Sequence, residues 1–187
     1  TLFISECLHV GQIDLVKRVL TISGNNSNDD SNLDKDTVEL LILNISRELY
    51  NNSTSDDAGS SLLNKAKELL EIQPLSNSVK CELDLIEATR LLISQYSLPY
   101  NGKEKILPIQ IRHHPDRLEI IHLLLLNNKS VYKNERDIMY LSKKLVGNKI
   151  FTERKDYQQR ILTMIAQAAL KEGNWTFACS ALLKASQ

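Results

Sequence analysis

Twice in this chain an apolar helical pattern runs into a single glycine and a second helical pattern starts at once. The first instance is CLHVGQIDLVKRVL, residues 7–20, and the second is ALKEGNWTFACSALL, residues 169–183. With Gly11 set on Gly173 the apolar positions coincide: Leu8 with Leu170, Ile13 with Trp175, Leu15 with Phe177, Val19 with Ala181 and Leu20 with Leu182. Glycine takes the left-handed position after a helix at no steric cost. The Asn174 side chain then caps the helix that follows. So short a stop sets two helices side by side and antiparallel, an αα-hairpin whose apolar faces need neighbours.

Composition agrees with helix-on-helix packing. Hydrophobic residues make up 42% of the 187, enough for a core, while aromatics are only 5% and Leu and Ile dominate. That balance suits helices better than a sheet sandwich. Lys plus Arg and Asp plus Glu both number 23, so bulk charge draws the chain neither to nucleic acid nor to an anionic membrane. Cys7, Cys81 and Cys179 are far apart and form no CxxC or Cys–His ligand spacing, which reads as reduced thiols rather than a disulfide framework. The chain opens at Thr1 in apolar sequence, as an excerpt of a longer protein would. Its longest apolar stretch, residues 118–126, contains Glu119 and His122 and is far short of a membrane span. The Asn-x-Ser/Thr sequons at Asn25, Asn44, Asn51, Asn52, Asn128 and Asn174 are read as chance in an Asn- and Ser-rich chain.

Periodicity predicts about nine helices in a single segment covering residues 1–187, an all-α, irregular α-solenoid of stacked antiparallel hairpins. Residues 1–10 and 13–22 form the first hairpin, and polar loops follow near 23–34, 51–60 and 97–105. Between them lie helices over 36–50, with Val38, Leu41, Ile42, Ile45 and Leu49 on one stripe, over 62–72 and over 78–96. In the last of these Val79, Leu83, Ile86 and Ile93 make one row, and Lys80, Asp84 and Glu87 face the other way, with Glu87 and Arg90 spaced to pair. ILPIQIR, residues 106–112, has the apolar content of a strand. Pro108 removes a ladder donor and no partner strand is in sight, so a short helical turn or extended connector is expected. Pro115 opens a helix over 116–126, and further helices cover 131–146, 153–170 and 174–185, the first ending before Gly147. Ala166, Ala168 and Ala169 allow a neighbouring helix to approach closely.

No catalytic, cofactor-binding or metal site is expected. His113, His114 and His122 are the one histidine cluster, but His114 and His122 are eight apart, about 12 Å of helical rise, and lack the i, i+4 pairing of zinc helices. Glu82, Asp84 and Glu87 read as a solvated polar face, with Glu82 and Asp84 too close in sequence to share one side. The six glycines are scattered singly, and no phosphate loop, GxSxG or HExxH is present. The basic doublets Lys143-Lys144 and Arg154-Lys155 stand near Glu153 and Asp156 and read as a salt-bridged rim. Trp175 is the one tryptophan, and its match to Ile13 points to core or half-core packing rather than to an exposed hot spot. Leu123 to Leu126 cannot all face one core, so they are buried on all sides or supply a partner surface. Partner-binding residues are otherwise unassigned.

Read in order, YNNSTS (residues 50–55), ELDLIEA (82–88), ILPIQIR (106–112), DRLEII (116–121) and VYKNERDIMYLSKKLVG (131–147) resemble the Sec-thirty-nine-like domain family, in the form carried by the central region of neuroblastoma-amplified sequence proteins. The final hairpin, 160–185, fits the end of that stretch. The resemblance implies an α-solenoid subunit of a hetero-oligomeric tethering complex at the cytosolic face of the endoplasmic reticulum. Such a subunit catches retrograde Golgi-derived vesicles and bridges tether subunits and ER SNAREs. It implies no enzyme and no cofactor. A helical adaptor in another assembly, including one acting in nonsense-mediated mRNA decay, is the alternative. An all-α enzyme using the histidines, or an RNA binder, would need a bound metal or a steep salt dependence to be credible.

Overall fold

The computed structural model describes residues 35–54, 62–72, 76–100 and 104–186. The first hairpin, residues 1–22, and its polar loop lie outside the described residues, so the Gly11 half of the glycine alignment does too. Among the described residues there are nine α-helices. They are α1 (Lys35–Asn51), α2 (Leu62–Leu70), α3 (Asn77–Arg90), α4 (Pro108–Arg112), α5 (Leu118–Asn127), α6 (Glu135–Val146), α7 (Asn148–Glu153), α8 (Lys155–Lys171) and α9 (Trp175–Ala185). The fold is all-α, as composition and periodicity indicate. The division differs from expectation in one added short helix, α7, while α4 is the short helical turn that is one of the two expectations for ILPIQIR.

The stripe expected on α1 is the buried one. Val38, Ile42 and Ile45 are buried, and Leu41 and Leu49 pack against the same core. On α2, Leu63, Ala66, Leu69 and Leu70 face inward. Ser76 caps α3 by accepting from the Val79 amide at 3.2 Å, and its hydroxyl donates to Glu39 on α1 at 2.6 Å. Past Arg90 the expected regular helix gives way to a π turn, Leu91–Gln95. Leu92 and Ile93 within that wide turn are both buried.

The polar loop expected at 97–105 is structured at its described ends, 97–100 and 104–105. Its ends pair as a two-stranded antiparallel ladder, β1 (Pro99–Tyr100) with β2 (Glu104–Lys105). The ladder is continued by one bond from the Ile106 amide to the Leu98 carbonyl at 2.9 Å. Two residues per strand close the linker without forming a layer. ILPIQIR becomes helix α4, with Pro108 at its start and the Gln110 side chain accepting from the Leu107 amide at 2.8 Å. Pro115 does not open the next helix as expected. It sits in a bend, and α5 begins three residues later, where Asp116 Oδ1 accepts from the Leu118 amide at 3.0 Å. The expected 131–146 helix is divided into a 3-10 turn, Val131–Lys133, and α6. Gly147 then turns the chain at φ 97°, and a Cβ added there would stand 3.6 Å from Cys81 Sγ on α3.

The closing hairpin forms as its glycine demands. Gly173 has φ 74°. Its amide donates to Leu170 at 2.9 Å and the Asn174 amide donates to Ala169 at 2.8 Å, the paired bonds of a Schellman motif. Asn174 Oδ1 accepts from the Phe177 amide at 3.2 Å and so caps α9. Ala166, Ala168 and Ala169 are buried, as are Ala178 and Ala181 of α9, which packs on α8. One core cluster runs from Val38 on α1 to Ala181 on α9. Packing is not confined to sequence neighbours, since α3 lies on α6 and α8 touches α5 and α6.

Candidate functional site

All five segments that carry the sequence resemblance meet at one buried polar clamp. Glu82, the first residue of ELDLIEA, is 7% exposed on α3. Arg112, the last of ILPIQIR, donates to both its oxygens, at 2.7 and 3.2 Å, and Arg47 Nε on α1 donates to Oε1 at 2.6 Å. The Arg112 guanidinium lies 4.3 Å over the ring of Tyr50, which opens YNNSTS. The Tyr50 hydroxyl bonds Thr89 at 2.5 Å, and Thr89 donates to the Leu85 carbonyl at 2.8 Å, which leaves Tyr50 as the donor. Arg117, from DRLEII, donates to the Arg112 carbonyl at 3.0 Å and to the Leu145 carbonyl at the end of α6 at 2.9 Å.

Each group titrates as its surroundings dictate. Burial pushes the Tyr50 phenol up to about 12. Burial also raises the Glu82 carboxyl, but hydrogen bonds from Arg112 and Arg47 outweigh it and hold the group below its ordinary value of 4.5. Arg117 is pulled down by desolvation. Each of these groups is engaged in joining helices.

The reading of Glu82 as part of a solvated face is therefore corrected. Val79, Glu82, Ile86, Thr89 and Ile93 recur at helical spacing, so Glu82 stands in the apolar row. That signal was present in the sequence but says only that the carboxylate points inward; Arg47 and Arg112 come from distant segments. Asp84 and Glu87 do lie on the outer side of α3. Lys144 Nζ on α6 reaches Asp84 at 2.7 Å and Glu87 at 2.8 Å, and Tyr140 also bonds Glu87. Partial burial pulls the Lys144 ammonium down, but its bonds to Asp84 and Glu87 prevail and hold it above the usual lysine range. Glu87 thus pairs across helices rather than with Arg90. Arg154 pairs with Asp156 at 2.8 Å, as the rim reading expects.

The outer face of α3 is the floor of an open groove of about 600 Å³. Leu83, Ile86 and Leu91 supply its apolar part, α2 contributes Lys67 and Glu71, and α6 contributes Lys144. A second open surface is on α9. Trp175 is 68% exposed, Leu183 67% and Leu182 44%, with Cys179 exposed between them. The expectation that Trp175 is core or half-core is overturned. It stands at the first position of α9, where only the Ala178 and Ala181 side is covered by α8, and Phe177 rather than Trp175 meets a neighbouring ring, Tyr132, at 5.4 Å.

The remaining residues singled out by sequence fall apart spatially or chemically. His113 is exposed in the turn after α4, and His114 Nδ1 accepts from the Asp116 amide at 3.3 Å. His122 is half-buried on α5. Among the described residues no group of three or more His, Cys, Asp or Glu side chains is arranged to hold a metal ion. In the leucine run, Leu124 and Leu125 are buried, Leu123 is partly so, and Leu126 alone is exposed, at 45%.

The family model described as secretory pathway protein Sec39 matches residues 1–185, nearly the whole chain. The chain belongs to the Sec39 family. No curated protein and no solved structure matches it. Membership of the Sec39 family places it among secretory-pathway proteins, with a role related to vesicle tethering and protein transport. Among the described residues no helix is long and apolar enough to cross a membrane. The clamp gives the Sec39 resemblance a physical meaning: the segments that carry it are the ones that fix α1, α3, α4, α5 and α6 together.

Proposed function

We propose that the chain is a non-enzymatic scaffold, one segment of a larger tethering subunit, that holds tether and SNARE partners at the cytosolic face of the endoplasmic reticulum during Golgi-to-ER retrograde transport. The helices would continue as an irregular stack of antiparallel hairpins, and the order of the resembling segments suggests the neuroblastoma-amplified sequence branch of the family. The observation that carries this reading is a division of labour among side chains. The buried polar clamp is occupied in holding helices to one another, while Trp175, Leu182 and Leu183 stand exposed on a helix that packs on α8 through Ala178 and Ala181. Exposed aromatic and leucine side chains on rigid helices are what helix-in-groove recognition uses.

The test is capture of purified cytosolic fragments of tether subunits and ER SNAREs by the full-length protein, followed by crosslink mapping. The reading expects at least one fragment to bind and to crosslink to the α3 groove or the α9 face. Failure of every fragment to bind would overturn it.

A further inference from the structure

The groove along α3 carries a charge pattern that the fold leaves incomplete. Its acids are engaged: Asp84 and Glu87 share Lys144, and Glu71 is 3.5 Å from Lys67. Lys80 and Arg90 line the same groove, and among the described residues neither has a carboxylate partner. They stand ten residues apart on one helix, about 15 Å, with the half-buried Leu83 and Leu91 on the same side. The π turn begins at Leu91, at this end of the floor.

We propose that the α3 groove is a docking site for an amphipathic helix of a partner protein, one bearing a carboxylate near each end of an apolar stripe. The partner's apolar residues cover Leu83 and Leu91. Its carboxylates, about three helical turns apart, meet Lys80 and Arg90. The charge left unmatched in the groove is positive, so a basic helix is disfavoured and an acidic one is selected. This rests on the scaffold reading and names the partner chemistry for one of its surfaces.

The probe is a fluorescein-labelled, stapled helix of about 18 residues, long enough to span the groove. It has Glu, Leu, Leu and Glu at i, i+4, i+7 and i+11 on an Ala/Gln background, and a twin has Lys for both Glu. Polarisation titrations use the full-length protein, the double variant Lys80→Glu/Arg90→Glu, and a control, Lys129→Glu/Lys171→Glu, altered away from the groove. The acidic helix should bind wild type and control alike and weaken about tenfold or more against the groove variant. The basic twin should show the reverse, and binding by the twin also proves the variant folded. If the groove variant fails to fold, Lys80→Ala/Arg90→Ala replaces it with the same expected loss for the acidic helix. No binding of the acidic helix, or equal binding to wild type and variant, overturns the proposal. Equal capture, by wild type and groove variant, of a tether or SNARE fragment that crosslinks to the α3 groove also overturns it while leaving the scaffold reading intact. Absence of any fragment capture by wild type removes the scaffold reading, and the peptide titration then judges the groove alone.

Discussion

The clamp joining α1, α3 and α4 and the hairpin of α8 and α9 hold helices together by opposite means. The clamp buries a carboxylate between two guanidiniums and sets one of these on a tyrosine ring. The hairpin uses alanine against alanine and a glycine turn, with Lys184–Glu135 as its peripheral ion pair to α6. The first arrangement demands particular residues from segments distant in sequence. The second needs only small side chains and a short loop. A buried ion pair contributes little net stability relative to apolar packing, yet it is costly to break by halves. Small-residue packing tolerates polar change outside the seam and fails when volume is added inside it. The clamp therefore fixes which helices meet, and the hairpin fixes how closely two of them lie.

The sharpest way to break this contrast is to halve the clamp. Arg112→Ala leaves the buried Glu82 with Arg47 as its remaining ionic partner, and chemical denaturation should show a loss of about 3–5 kcal/mol. An apolar replacement of all three charges, Arg47→Leu/Glu82→Met/Arg112→Leu, should recover most of that loss. If it does not, the cluster is a net stabiliser rather than a register device. The hairpin should answer to volume instead. Ala169→Leu, at a fully buried seam position, should destabilise by about 1–3 kcal/mol in the same assay, whereas Ala185→Ser, at a half-buried edge position, should change stability by no more than about 0.5 kcal/mol.

Acid sharpens the comparison further. The folded-state value of Glu82 lies below its ordinary 4.5, so the native state binds fewer protons than the unfolded chain. The stabilisation from this group is complete above about 4.5 and fades as pH falls through the lower, folded value. Glu82→Gln should flatten the acid limb of a stability–pH curve, while Glu135→Gln, at the hairpin's half-exposed ion pair, should change it far less. Next in size is Gly147→Ala. With φ at 97° and Cys81 Sγ in ordinary contact range, it should cost about 1 kcal/mol from backbone strain, seen as a lowered midpoint of thermal unfolding. Smallest is Trp175→Ser. At 68% exposure it should shift folding stability by no more than about 0.5 kcal/mol, while lowering capture of any partner that docks on α9.

Local chemistry made some features legible. The α1 stripe, the helix over ILPIQIR, the stop at Gly147, the Gly173 turn and the Asn174 cap each depend on residues within one or two turns of one another. The π turn was hidden because nothing in the apolar spacing of residues 78–96 distinguishes it from a regular helix, and Leu92 and Ile93 are buried as the regular pattern also expects for them. Pro115 misled as well. Proline suits a first helical turn, but here the Asp116 carboxylate nucleates the helix further on.

Periodicity by itself settled that the chain makes helices, where glycine ends them and which side of each is apolar, because those properties follow from backbone geometry and the 3.6-residue repeat. It did not settle which apolar side finds a neighbour or which inward polar group finds a counter-ion. Glu82 looked like surface and is held between Arg47 and Arg112; Trp175 looked like core and stands in solvent. Both outcomes depend on segments thirty or more residues away meeting, or failing to meet, in space, and no local pattern encodes that.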